Sequence, residues 1–125
     1  MFRPALLAAA LLAFPAAAEA PVDEGIRLLM LDRAGCIYCA QWKREILPAY
    51  ARNPDGKAAP LAIVDIDGPF PDGLALDRMP VLTPTFVLLR DGIELGRIEG
   101  YAGRDFFWPM IGRLLDQGGV AVPGG

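Results

Sequence analysis

Histidine is absent from this sequence, and cysteine occurs only twice. Without an imidazole there is no Ser–His or Cys–His hydrolytic chemistry, and most zinc enzymes are excluded with it. Two thiolates alone cannot complete a four-coordinate zinc site within one chain, so no metal is expected short of one bridging two chains, and no cofactor is expected either. Lysine and arginine form no cluster that would grip phosphates, and the chain is acidic overall, with a net charge of −3. Nucleic acid is therefore not an expected partner. No apolar run reaches the roughly 20 residues that span a bilayer.

The longest apolar run stands at the start. Arg3 is followed by Pro4 to Ala18, which holds only Pro, Ala, Leu and Phe. It ends in Pro15-Ala16-Ala17-Ala18-Glu19-Ala20-Pro21, where small residues sit at the spacing a signal peptidase reads. Cleavage can follow Ala18 or Ala20. Pro21 directly after the second cut would hinder the peptidase, so Ala18 is favoured. An uncleaved anchor is the alternative, and the shortness of the run speaks against it. The reading is thus a signal peptide over 1–18 and one domain over 19–125, with a core of about 26–116. Arg3 leaves with the leader, which makes the mature chain one unit more acidic. Export places the domain in an oxidising compartment, where a cysteine pair can be a disulfide.

Ile26 to Leu31 is a mostly apolar segment suited to a buried strand, broken by Asp32-Arg33-Ala34-Gly35. From Ile37 to about Arg52 the pattern turns helical, with Ile37, Ala40, Ile46, Leu47 and Tyr50 as a candidate buried side and Pro48 as a kink. Asn53-Pro54-Asp55-Gly56 reads as a turn. Leu61 to Ile66 is a second strand. Phe70 to Leu82 reads as a loop with a short helix near Leu74–Asp77. Thr85 to Leu89 is a third strand, Asp91-Gly92 a hairpin turn, and Ile93 to Glu99 the returning strand. Asp105 is a candidate cap for a last helix to about Asp116, with Phe106, Phe107, Met110, Ile111, Leu114 and Leu115 available for packing. Two strands joined by a helix make a right-handed parallel βαβ unit, and the last two strands are antiparallel. The fold class is α/β: a four-stranded mixed sheet (βαβ plus ββα) with flanking helices.

Cys36-Ile37-Tyr38-Cys39 sits where the first strand gives way to the first helix. A cysteine at a helix N-terminus faces unsatisfied N–H groups and the positive end of the dipole, which favour the nucleophilic thiolate. In that geometry Cys36 is the exposed attacking sulfur, and Cys39, one turn deeper, resolves the mixed disulfide. A purely structural disulfide is the alternative. Its loop is so short that the chain-entropy gain is only about 2 kcal/mol, against about 3 for a 15-residue loop.

Thr83-Pro84-Thr85-Phe86 is the second constellation. A proline opening a sheet strand is unusual unless its missing donor is useful, although a trans proline ending a loop remains open on the residues alone. Here the chain resembles the thioredoxins, in which a cis-proline precedes this strand and lies beside the CxxC sulfurs. The resemblance implies a minimal thioredoxin-like fold, a cis Thr83–Pro84 bond, and a Thr83 backbone that can pair with an extended substrate segment. Ile37, Tyr38 and Val81 are the candidate rim of that groove. Two departures stand out. Thioredoxins carry a buried acid six residues before the first cysteine, where this chain has Met30, and Asp32 cannot be assumed to replace it. They also carry Gly-Pro between the cysteines, where this chain has Ile37-Tyr38.

A narrower resemblance covers both ends of the domain. Cys36 to Cys39 with Trp42, Glu45-Ile46 and Pro48-Ala49-Tyr50, then Thr83 to Phe86, Gly96 to Tyr101 and Asp105 to Met110, look like the SoxS-type periplasmic thioredoxins. That resemblance implies a monomeric periplasmic reductase with a redox-active Cys36–Cys39 disulfide. It further implies that this reductase keeps the sulfur-carrier protein of the bacterial Sox system in its thiol form, with electrons from a membrane thiol transporter. The rival expectations are a reductase of apocytochrome c maturation and a redox-inactive binding module. The aromatic run Phe106-Phe107-Trp108 is expected to pack into the core, with docking of a partner by Trp108 as the alternative.

Overall fold

The computed structural model describes residues 2–5, 8–9 and 20–124; most of the expected leader, with the cleavage point after Ala18, lies outside them. Among the described residues the chain runs β1 (Ile26–Asp32), α1 (Ile37–Glu45), α2 (Leu47–Tyr50), α3 (Pro54–Ala58), β2 (Leu61–Asp65), β3 (Thr85–Arg90), β4 (Ile93–Glu99) and α4 (Arg104–Gln117). The sheet has the order β2-β1-β3-β4. β1 pairs parallel with β2 and antiparallel with β3, and β3 pairs antiparallel with β4.

β1 is central, and both its faces are covered, which is why Leu28 to Leu31 is an unbroken apolar run rather than an alternating one. Leu28 and Met30 face one side with Phe86 and Leu88, under Cys39 and Trp42 of α1, Ile46 between α1 and α2, and Phe107 and Ile111 of α4. Leu29 and Leu31 face the other side with Val87 and Leu89, under Val22, Ile66, Phe70, Leu74 and Leu76. Arg27, near the start of β1, is only 4% exposed. Its guanidinium donates to the carbonyls of Pro60 and Leu61 at 3.1 Å and to those of Ala20 and Pro21, tying the incoming chain to the start of β2.

Four local expectations are corrected. The helix from Ile37 to Arg52 is divided at Ile46. Pro48 has no N–H to donate to the carbonyl four residues back, so the turn restarts as α2. The buried side of that stretch is Cys39, Trp42, Ile46 and Tyr50; Ile37 is 72% exposed, Ala40 is exposed and Leu47 only half-buried. Asn53-Pro54-Asp55-Gly56 starts a short helix rather than a plain turn, because the Asn53 side chain accepts the Asp55 N–H at 2.9 Å and Pro54 fits the first helical position. The expected helix near Leu74–Asp77 is extended chain: Ala75 bridges Ile93 in parallel, donating to Gly92 O at 2.8 Å and accepting from Glu94 N at 3.0 Å. Leu74 and Leu76 flank it with the two-residue period of a strand and pack on the sheet.

α4 starts two residues earlier than expected, with Gly103 rather than Asp105 as its cap and Asp105 inside the first turn, where a carboxylate still complements the helix dipole. Phe107 is buried and Trp108 stacks on Tyr50 with ring centroids 5.6 Å apart, while Phe106 is 60% exposed and does not join the core. Gly96 on β4 lets α4 approach: a Cβ there would stand 2.7 Å from the Leu114 side chain.

Candidate active site

The open end of the sheet is where β1 stops. Residues 33–36 form a β-turn, closed by Cys36 N–H donating to Arg33 O at 3.1 Å, and Gly35 takes the φ of 80° that a type II turn needs. Arg33 is tied to Asp67 after β2 by hydrogen bonds of 2.8 and 3.0 Å, so the turn is braced against the neighbouring loop. Cys36 then caps α1, and its Sγ accepts the Cys39 N–H at 3.1 Å. A negative charge on that sulfur would lie on the positive end of the helix. Cys36 and Cys39 are joined by a disulfide with their Cα atoms 5.2 Å apart. Cys36 is partly exposed, whereas Cys39 is 1% exposed and packed in the core.

Thr83 and Pro84 come to the same end of the sheet. Thr85 pairs with Leu31, so the residues before it lie beside the end of β1. The Thr83–Pro84 peptide bond is cis. The buried Thr85 hydroxyl donates to Leu82 O at 2.6 Å and Gly100 N–H to Pro84 O at 2.7 Å, which pins the approach to β3. Among the described residues the Thr83 N–H and C=O form no backbone hydrogen bond. Ile37 is 72%, Tyr38 54% and Val81 78% exposed. Met79 and Leu82 are also exposed on this approach, and no motif singles them out; the available signal is that they are large apolar residues in a loop with no periodic partner.

Charge pairs brace the surroundings. Glu94 and Arg97, both on β4, form an ion pair at 2.7 Å with side chains 1% and 6% exposed. Glu94 also accepts the Asp77 N–H at 3.1 Å, and Arg97 donates to Arg78 O at 2.6 Å, fastening the loop that leads to Met79 and Val81. Burial disfavours the charged form of Glu94, but the hydrogen bonds from Arg97 and Asp77 and the positive charges of Arg97 and Arg78 outweigh it and hold the carboxyl below its ordinary range. Tyr101 donates to Glu45 at 3.1 Å, linking the end of α1 to the loop before α4; burial and that carboxylate push the phenol up to about 12. Lys43 of α1 donates to Asp32 at the end of β1 at 2.5 Å. The described residues include no group of three or more metal-ligating side chains. A groove of about 540 Å³ lies along β2 between Leu47, Tyr50, Lys57, Pro60 and Ile63 and includes no residue of the cysteine loop.

A disulfide whose outer sulfur caps a helix and whose inner sulfur is sealed in the core is built to open on one side only. On this sheet it defines a thiol–disulfide oxidoreductase of the thioredoxin fold. No protein-family model and no curated protein matches the chain. A solved structure does: the periplasmic thioredoxin SoxS from Paracoccus pantotrophus, crystallised in its reduced form, is 50% identical over 74% of this chain and 97% of that one, with a TM-score of 0.72. The chain belongs to the SoxS-type thioredoxins.

Proposed function

We propose that the protein is a periplasmic reductase that restores the thiol of the Sox sulfur carrier during thiosulfate oxidation. The observation that carries the reductase reading is the asymmetry of the Cys36–Cys39 pair, one sulfur at the surface and one in the core. Cys36 is the attacking cysteine. Its thiolate displaces one sulfur of the partner's disulfide or thiol adduct and forms a mixed disulfide. Cys39 then attacks Cys36 Sγ, the partner leaves as a thiolate carrying two electrons, and the Cys36–Cys39 disulfide closes. A membrane thiol transporter returns two electrons and reopens it. Thr83 and Pro84 line the groove for an extended partner segment, which pairs with the Thr83 backbone, and Ile37, Tyr38 and Val81 form the rim.

Likeness to a periplasmic thioredoxin of the SoxS type supports both the compartment and the carrier as partner. A flexible segment that presents its reactive cysteine is the kind of substrate this open groove accepts. The protein acts as a monomer. The test is capture: the Cys39→Ser variant, incubated with periplasmic extract, is expected to hold the sulfur carrier in a mixed disulfide identifiable by mass spectrometry, and the intact protein to restore activity to oxidised carrier. Capture of apocytochrome c without the carrier would assign the protein to cytochrome maturation instead.

The same reading makes 1–18 a cleaved signal peptide and 19–125 the mature domain. Intact-mass measurement of the exported protein is expected to start at Glu19. The Ala20 carbonyl held by Arg27 is one that cleavage after Ala20 would remove, which adds to the case for the earlier cut. A mass that retains 1–18 would show an anchored protein.

A further inference from the structure

The extended course of the chain from Leu74 to Met79 leaves an apolar groove open on the surface. Phe70, Pro71, Leu74, Leu76 and Met79 line it, Arg78 stands at its edge, and its volume is about 450 Å³. Phe70, Leu74 and Leu76 rest on the sheet and are needed there. Met79 is different. Among the described residues it joins neither core, and it is 66% exposed. A large apolar side chain left in water adds little to stability, so holding the fold together does not account for it. An exposed, adaptable thioether beside an apolar groove is what a site of contact with another chain presents.

Both walls of the groove are tied to the end of the sheet that carries the cysteines. Phe70 stands three residues after Asp67, which holds Arg33 of the cysteine turn at 2.8 and 3.0 Å. On the other wall Arg78 pairs with Glu99, the register partner of Thr85. Met79 stands four residues before Thr83, a span of at most about 14 Å of extended chain. A segment bonded to Cys36 and paired along Thr83 has two ends, and one of them runs beside Val81 toward Met79. The tether thus names the occupant: it is the chain that flanks the partner's own reactive cysteine.

We infer that this groove is a specificity subsite for a large apolar side chain, such as leucine, methionine or phenylalanine, placed about three to five positions from the partner's reactive cysteine. The inference rests on the reading of Cys36 as the attacking sulfur and of Thr83 as the backbone that pairs with the partner. In the transition state for exchange the partner sulfur is already partly bonded to Cys36. The flanking side chain then reaches the groove within one tethered assembly, so an open and shallow site suffices. Its effect falls on which disulfides are attacked, and it is read in the second-order rate constant for exchange.

The experiment uses symmetric disulfides of short synthetic peptides. Each peptide has a single cysteine in an alanine–serine background and a single leucine, moved position by position along both flanks. Reduced protein opens the peptide disulfide to two thiols and closes Cys36–Cys39, a two-electron exchange followed by acid quench and mass spectrometry. Leucine about three to five positions from the cysteine, on one flank, is expected to raise the rate constant on the order of tenfold over the peptide without leucine. Met79→Glu should bring that ratio close to one, and Met79→Leu should keep it. A ratio between two peptides is insensitive to any general loss of activity in the variant. A flat scan with the quenched peptide mapped to Cys36 overturns the subsite alone, as does a leucine preference that Met79→Glu leaves untouched. Peptide mapped to Cys39 overturns the assignment of roles and the subsite with it.

Discussion

Cys36→Ser is expected to bring disulfide exchange down to the rate seen without the protein, while Cys39→Ser keeps the first step and stalls in mixed disulfides. The difference follows from where the two sulfurs lie. Cys36 Sγ accepts the Cys39 N–H at the start of α1 and is reachable from outside, so it combines the stabilised charge with the access that nucleophilic attack needs. Serine at this position keeps the cap but brings a hydroxyl that does not ionise near neutrality. Cys39, sealed in the core, reaches only a partner already bonded to Cys36. Insulin reduction driven by dithiothreitol reads the first effect, since the wild type accelerates it and Cys36→Ser should not. Thiol trapping followed by peptide mapping reads the second. Partners accumulating on Cys36→Ser instead of Cys39→Ser would reverse the roles, and acceleration retained in both variants would remove exchange chemistry from this pair.

The parts of the molecule legible in the sequence are those whose physics is local or strongly periodic. Leu28 to Leu31 is apolar on consecutive positions, which is what a strand covered on both faces requires, and Asp91-Gly92 between Thr85–Arg90 and Ile93–Glu99 supplies the turn of a hairpin. Cys36 and Cys39 carry their meaning in spacing alone. What escaped depends on partners far along the chain. The extended course of Leu74 to Leu76 is set by the edge of β4, which offers Gly92 O and Glu94 N to Ala75, and nothing in 70–82 announces that edge. Ile37 and Ala40 fit a helical stripe, yet α1 turns Cys39 and Trp42 inward, because the core side is fixed by the sheet beneath and by Phe86 and Phe107, whose ring centroids lie 5.2 and 5.7 Å from that of Trp42. The Asp32–Lys43 pair was hidden for the same reason. Asp32 stood out near the cysteines, but only the packing of α1 on β1 supplies its lysine.

Removing the carboxylate of Glu94 is the change outside the disulfide with the largest expected cost. Arg97 is 6% exposed on its side chain, so Glu94→Ala would leave a guanidinium in a dry setting with its counter-charge gone. Breaking a buried pair from one side costs about 3–5 kcal/mol, a large share of the roughly 5–15 kcal/mol that holds a domain of this size. The urea midpoint should fall accordingly. The damage should also reach function, because the Asp77 N–H loses its acceptor and Arg97, which holds the Arg78 carbonyl, loses the carboxylate that orients it, so the loop leading to Met79 and Val81 is less fixed and KM for a protein partner should rise more than kcat falls. Replacing Glu94 and Arg97 together by methionine should cost much less than Glu94→Ala, since the stranded charge is then absent. The acid dependence has a definite sign. Glu94 is held below its ordinary range in the folded protein, so its contribution to stability is fully present above the unfolded carboxylate value of about 4.3 and is lost as pH falls through the lower folded value. Glu94→Gln keeps the shape and an acceptor for the Asp77 N–H but has no proton to gain, so its urea midpoint should fall less steeply over that acid range than the wild type's. Parallel curves for the two proteins would mean that the Glu94–Arg97 pair does not stabilise the fold through its charge.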